Sequence, residues 1–306
     1  MKLLVATEKP FAKVAIDGIR QVAEQAGYEL VLLEKYASKE ALLQAVADAD
    51  AMIVRSDVVD AEVFEAAKQL RIVVRAGAGY DNIDLEAAAR HGVCVMNTPG
   101  QNSNAVAELV FGLLIYAVRN FYNGTSGTEL KDKTLGIHAF GNVGRNVARI
   151  AKGFGMKVLA YDAFCSDEVM LEAGVTPVHS AEELYEQSNI VSLHIPATEQ
   201  TKRSINQALL SRMPQGGILV NTARKEVINE DELIVAMGER PDLRYVTDIM
   251  PAADLRMTEL FAGRYFSTPK KMGAQTAEAN INAGIAAANQ IVDYLENGNE
   301  RFRLNK

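Results

Sequence analysis

Positive charge is in the minority: 32 Lys and Arg against 39 Asp and Glu leave a formal net charge of −7. That balance argues against nucleic acid or an anionic membrane surface as partner. Cysteine is scarce as well. The two present, Cys94 and Cys165, both beside apolar runs, give neither a disulfide framework nor the grouped spacing of metal ligands. A reducing, cytoplasmic setting is expected, and no metal. Long apolar runs are missing: the longest, Ala105 to Val118, is interrupted by Glu108 and falls short of the roughly 20 residues that cross a bilayer. The opening MKLLVATEKP carries an acid too early for a secretion signal, so no leader is expected. Low-complexity tracts and solenoid periods are also absent, which leaves alternating strands and helices to organise the chain. With 306 residues, 48% hydrophobic and 23% charged, there is material for two globular domains, each with a sizeable core.

The first hundred residues show that alternation. Lys2 to Ala6, Glu29 to Leu33, Ala51 to Arg55 and Ile72 to Arg75 are short apolar strand candidates. Between the first two, Phe11 to Ala26 places Phe11, Val14, Ala15, Ile19, Val22 and Ala26 on one helical face. Strands separated by amphipathic helices imply right-handed crossovers and a parallel sheet. Asn102 to Asn120 follows as a helix that is apolar round most of its circumference from Val106 to Val118. It suits a connector or a face against a second copy of the chain, and equally a plain core helix.

Lys133 to Asp162 is the most informative stretch. Thr134 to His138 reads as a buried strand, Ala139 to Gly144 as a small-residue turn, Asn142 to Phe154 as a helix and Lys157 to Tyr161 as a second strand, which ends in Asp162. Strand, glycine turn, helix, strand, acid is the order of a dinucleotide-binding βαβ unit. The free N–H groups of the helix N-terminus, around Gly141, Asn142, Val143 and Gly144, would face a pyrophosphate. Asp162 stands where a ribose 2′-hydroxyl needs an acceptor, and its charge repels a 2′-phosphate, so NAD is expected over NADP. The glycine pattern begins with Ala139, which fits the turn if its φ is negative, while Gly141 permits close approach of phosphate. Further strands at Ile190 to His194, Ile218 to Thr222 and Tyr245 to Asp248 continue a doubly wound sheet, and a last helix runs from Ala277 to Leu295, ended by Asn297-Gly298.

Five stretches then carry a resemblance: Val54-Arg55-Ser56, Arg75 to Asp84 (RAGAGYDNID), Asn97 to Glu108 (NTPGQNSNAVAE), Ser192 to Pro196 (SLHIP) and Leu219 to Arg224 (LVNTAR). In this order they resemble the D-2-hydroxyacid dehydrogenase family, most of all its D-3-phosphoglycerate-oxidising branch. The resemblance implies two doubly wound parallel-sheet α/β domains. One is a flavodoxin-like substrate domain, residues 1–100 with 278–306, and the other a Rossmann NAD-binding domain, 101–277. It implies NAD-linked oxidation of D-3-phosphoglycerate to 3-phosphohydroxypyruvate, the first step of serine synthesis, by a cytoplasmic homodimer. Family members with regulatory domains extend well beyond the equivalent of this last helix.

The family uses an arginine, a glutamate and a histidine. The arginine is Arg224, with Lys225 where glycine is usual. The glutamate position falls on Ala253, beside Asp254, and the histidine of Thr-Pro-His is Lys270 in Thr268-Pro269-Lys270. Lysine there implies a proton carrier of another kind, and loss of the glutamate, whose charge would hold the lysine protonated, suits it. For the substrate, Arg55, Ser56, Arg75 and Asn102 stand at strand or helix ends, and the amides of Ala76, Gly77, Ala78 and Gly79 suggest an anion nest. Arg55 and Arg75 are expected to hold the phosphate, Lys9 less so; solvated surface charge is the plainer account of each. The cofactor is expected to meet Val106, His194, Ile195, Pro196, Thr222, Ala223, Asp248 and Gly273, with Asp248 taking the nicotinamide amide. His194 is equally a structural histidine, and His91, His138 and His179 are taken as structural. Two rival functions remain: a reductase of hydroxypyruvate or glyoxylate, and a catalytically silent NAD-binding regulator.

Overall fold

The computed structural model describes all 306 residues, in two compact units: residues 1–102 with 275–306, and residues 103–274. The first unit starts β1 (Lys2–Thr7), α1 (Lys13–Gln25), β2 (Glu29–Glu34), α2 (Lys39–Val46), β3 (Ala51–Val54), α3 (Ala61–Ala66), β4 (Ile72–Arg75), α4 (Leu85–Arg90) and β5 (Cys94–Asn97). The second runs α5 (Ser103–Val118), β6 (Thr134–His138), α6 (Asn142–Gly153), β7 (Lys157–Tyr161), α7 (Asp167–Glu172), β8 (Thr176–Pro177), α8 (Ala181–Gln187) and β9 (Ile190–Leu193). It continues through α9 (Gln207–Arg212), β10 (Ile218–Asn221), α10 (Glu230–Glu239), β11 (Arg244–Thr247), α11 (Asp254–Leu260) and β12 (Tyr265–Ser267). Helix α12 (Ala277–Asn297) then rejoins the first unit.

Both sheets are parallel throughout. The first has the flavodoxin-like order β2-β1-β3-β4-β5, and the second the doubly wound order β8-β7-β6-β9-β10-β11-β12. Strands β3, β5, β9 and β10 are buried along their whole length, as parallel strands covered by helices on both faces must be. In the first unit α12 lies close against α1 because a glycine on each helix makes room for a large side chain of the other: a Cβ on Gly284 would stand 3.2 Å from Ile19, and one on Gly18 would strike Ile285 at 2.6 Å. Helix α12 ends on Gly298 at φ +67, the left-handed stop that glycine adopts without a Cβ penalty. No helix is long and apolar enough to cross a membrane.

Some elements differ from the sequence reading. Helix α1 begins at Lys13, so Phe11 precedes it and the buried stripe shifts to Ala15, Ile16, Ile19 and Ala23; Val14, expected inside, is 62% exposed. Strands β8 and β12 have two and three residues, too few for a period to register. Helix α5 is covered largely by its own unit, with Val110, Phe111, Leu114 and Ala117 in one core with Val147 and Ala151 of α6.

Candidate active site

The second sheet changes direction between β6 and β9, and open α/β sheets bind ligands at the carboxyl ends of strands where this happens. Helix α6 begins there. A Cβ on Gly144 would lie 2.4 Å from the Ala139 carbonyl oxygen, so only glycine lets the helix sit this close to the turn. Gly141 is different: a Cβ there would meet nothing within 4 Å, so the glycine leaves open space before the first amides of α6. That is the space a pyrophosphate needs.

Ala139 departs from expectation. Its φ is +81°, not negative, although an alanine in this region is strained by roughly 1–2 kcal/mol. Neighbouring bonds impose it: the Ala139 N–H donates to the Tyr161 carbonyl at 2.8 Å, and the Phe140 N–H to Asp162 Oδ2 at 2.7 Å. The other oxygen of Asp162 accepts the N–H groups of Phe164 and Cys165, at 2.8 and 3.1 Å. Three amides thus fix this carboxylate at the rim of a cavity of about 610 Å³, whose lining includes His138, Tyr161, Ile195, Pro196 and Leu209. Like charges 4 Å apart in water repel by about 1 kcal/mol, so a dianionic 2′-phosphate beside Asp162 costs about 2 kcal/mol. Asp162→Asn keeps an acceptor but removes the charge. It should narrow the NAD over NADP preference by about thirtyfold in kcat/KM; an unchanged ratio would place the discrimination elsewhere.

At the other end, Asp248 follows β11 and is fully buried. Its Oδ2 accepts the Gly273 N–H at 2.7 Å and the Met272 N–H at 3.3 Å, while Oδ1 is buried with no partner. Burial raises its pKa, opposed by those amides and the charges of Lys271 and Arg224. A buried carboxylate oxygen without a donor fits a primary amide such as that of nicotinamide. Gly273 has no room for a side chain, since a Cβ would stand 2.9 Å from Asp248 Oδ2 and 3.2 Å from Val106. Thr222 adds a second buried oxygen, Oγ1, without a partner.

His194 Nε2 lies 2.9 Å from Ser192 Oγ, and burial, with the nearby His138, pushes its pKa down to about 3. Burial pushes His138 down to about 4, opposed by Asp162. Both rings are therefore neutral near pH 7, which suits walls of a pocket and not a general base. An unfolded chain protonates these rings near 6.5, so below that pH it binds more protons than the fold does. Stability should fall as pH drops from 6.5 toward 4, by up to about 1.4 kcal/mol per pH unit for each ring. Thermal melts between pH 7 and pH 5 check this; a midpoint that does not fall would mean the rings are hydrated.

Arg224 follows β10 with extended backbone, φ −144° and ψ 143°, and is exposed. The buried Asn221 side chain shapes this turn: it accepts the Ala223 N–H at 2.9 Å and donates to the Arg224 carbonyl at 3.0 Å. One oxygen then gathers two cations, for the Ala223 carbonyl accepts Arg224 Nη1 at 2.9 Å and Lys271 Nζ at 3.1 Å. Lys270, expected in that place, is exposed, and only its backbone carbonyl is engaged, by Thr268 Oγ1 at 2.8 Å. The Ala252 and Ala253 amides both donate to the Glu230 carboxylate, at 3.0 and 2.9 Å. Beside them, the Asp254 carboxylate accepts the Tyr265 hydroxyl at 2.5 Å.

In the first unit, Arg55 and Ser56 follow β3 and Arg75 ends β4. The Arg55 guanidinium donates to the Lys9 and Pro10 carbonyls at 3.0 and 3.1 Å and to Asn280 Oδ1 at 2.7 Å, and lies 5.1 Å over the Phe11 ring. It braces the loop after β1 and the start of α12 as much as it offers charge. Arg75 Nε donates to the Arg55 carbonyl at 2.9 Å, and its guanidinium lies over Gly77, where a Cβ would come within 1.6 Å of Nη1. The expected nest is only half available. The Ala76 and Gly77 amides donate to the Val54 and Arg75 carbonyls, at 2.8 and 2.9 Å, which leaves those of Ala78 and Gly79. Asn102, half-buried, precedes α5. The sequence reading gave Asn221 no role of its own, took His138 as structural and held Lys271 only as an alternative to Lys270.

A sheet that reverses beside a glycine turn, an acid after the second strand and an orphan carboxylate at the far end together define a nicotinamide-dinucleotide-binding α/β protein. Residues 116–266 match the family model of the D-isomer specific 2-hydroxyacid dehydrogenase, NAD binding domain. The hydroxypyruvate reductase of Thermotoga maritima is 35% identical over 285 residues, 87% of this chain and 92% of that one. The D-3-phosphoglycerate dehydrogenase of Methanocaldococcus jannaschii is 36% identical over 275 residues, 84% of this chain and 52% of its own, so this chain spans about half the length of that relative. Among solved structures, NAD⁺-bound 3-phosphoglycerate dehydrogenase of Entamoeba histolytica is similar with 49% identity and a TM-score of 0.86, covering 100% of this chain and 99% of that one. The chain belongs to the D-isomer-specific 2-hydroxyacid dehydrogenase family, and its cofactor is NAD.

Proposed function

We propose that this chain oxidises D-3-phosphoglycerate to 3-phosphohydroxypyruvate with NAD⁺. The observation that carries the reading is the 49% identity, over the whole chain, with the Entamoeba phosphoglycerate dehydrogenase. When bound, nicotinamide accepts a hydride from the substrate's C2; the chain supplies binding, orientation and a proton acceptor. Arg224, with planar paired donors, grips the carboxylate and polarises the C2 oxygen. A lysine of the Lys270-Lys271 pair takes the hydroxyl proton. Within the first unit, Arg55, Ser56, Arg75 and Asn102 with the Ala78 amide suit the phosphate, and Ala76 and Gly77 shape their turn. Asp248 and Thr222 take the nicotinamide end of NAD, backed by Val106, Ala223 and Gly273. A cytoplasmic location agrees with two free cysteines. A homodimer through α5 is also part of the proposal, supported by the exposed Tyr122 beside it; a monomer in light scattering at micromolar concentration would remove it.

A second reading, reduction of hydroxypyruvate or glyoxylate, is favoured by the Thermotoga relative, which this chain matches along 92% of its length. Absorbance of NADH decides between them in an assay of D-3-phosphoglycerate against D-glycerate, hydroxypyruvate and glyoxylate. The phosphorylated substrate should give the highest kcat/KM. A charge-assisted hydrogen bond contributes about 1.5–3 kcal/mol, so Arg75→Ala should raise KM for phosphoglycerate at least tenfold and leave glycerate nearly unaffected. Equal effects on both would take the phosphate away from Arg75, and a preference for glyoxylate would establish the second reading.

A further inference from the structure

His138 ends β6, is 8% exposed, and has a buried Nδ1 with no hydrogen-bond partner. Its ring stands 5.6 Å from the Tyr161 ring and 6.1 Å, edge-on, from the Tyr185 ring. The neighbouring His194, by contrast, has Ser192 Oγ at 2.9 Å. A buried polar atom without a partner destabilises a fold, and the rings of Tyr161 and Tyr185 beside this one offer it no hydrogen bond, so an isoleucine at 138 would avoid that cost. Fold stability therefore gives no reason for a histidine here. The cavity does: His138 lines it together with Asp162, Tyr161, Ile195 and Pro196, and Nδ1 is the enclosed nitrogen, so the other edge of the ring meets the open space.

We propose that His138 is a specificity-determining residue for the cofactor, its Nε2 edge hydrogen-bonding the adenosine half of the dinucleotide. A neutral imidazole carries one N–H and one acceptor nitrogen. Unpaired buried donors are rarer than unpaired acceptors, so the proton is assigned to Nε2, and the ring donates to a base nitrogen or ribose oxygen. The ring remains neutral across the physiological range because burial holds its pKa near 4.

The proposal rests on NAD as cofactor, and calorimetric titration of the unaltered protein with NAD⁺ and ADP-ribose tests that first. His138→Ile should weaken binding of both ligands by about three- to tenfold, the value of one net hydrogen bond. The unliganded variant should meanwhile melt no lower than the parent, because an orphan polar atom has been replaced by a packed methyl group. Affinity and stability thus move in opposite directions, which a structural histidine would not produce. Unchanged affinity for ADP-ribose overturns the proposal. So does a loss of affinity accompanied by a lower melting temperature.

Discussion

Arg224→Ala is expected to lower kcat/KM by about 10²–10³-fold with NAD⁺ affinity retained, the usual loss when one preorganised donor is taken from a developing oxyanion. The position explains the size of the effect. Arg224 leaves the sheet at the carboxyl end of β10 with extended backbone, and the buried Asn221 holds the turn from both sides, so the guanidinium is presented without a flexible loop beneath it. Only one of its terminal nitrogens is engaged within the chain, by the Ala223 carbonyl. Arg224→Lys should recover little, because a single ammonium on a flexible stem does not reproduce the planar fork that a carboxylate accepts. Steady-state kinetics with a parallel NAD⁺ titration measure both parts. A loss below tenfold in kcat/KM would mean that another group polarises the C2 oxygen.

The parts of the fold legible in the sequence were those with a long period or special chemistry. The turn from Ala139 to Gly144 and the acid at 162 were readable because close packing and charge each demand a particular residue type, and Gly144 proves to be in contact distance of the turn it closes. The helix stop at Gly298 was readable for the same reason. What could not be read depended on tertiary context. The sign of φ at Ala139 is imposed by Tyr161 and Asp162, some twenty residues away in the chain. Arg55 reads from the sequence as a phosphate ligand or a solvated cation, yet Asn280, 225 positions further on, accepts from it. The nest at Ala76 to Gly79 was overcounted because two of its amides turn back onto strand carbonyls, which no local pattern announces.

The lysine pair depends on the same kind of context. Motif matching points to Lys270, since it replaces the histidine of the Thr-Pro-His triplet, but the loop places Lys271 Nζ on the Ala223 carbonyl beside Arg224. This loop is fixed by Thr268, whose N–H donates to the Thr247 carbonyl, and by Met272 and Gly273, whose amides hold Asp248. Oxidation of a hydroxyl needs a neutral amine to accept its proton. Lys271 shares that oxygen with Arg224, and both charges act on the buried Asp248, so the amine stands between the arginine and the buried acid. Lys271→Ala should therefore lower kcat for oxidation by about 10²–10⁴-fold, the range for a positioned acid or base, with NAD⁺ binding intact. Lys270→Ala should remain within severalfold of the parent. Lys271→His should restore part of the rate and move the acidic limb of the pH profile downward, since imidazole titrates near 6.5 and an ordinary lysine near about 10.4. An inactive Lys270→Ala beside a normal Lys271→Ala would return the role to the motif position, and two active variants would leave the proton to solvent.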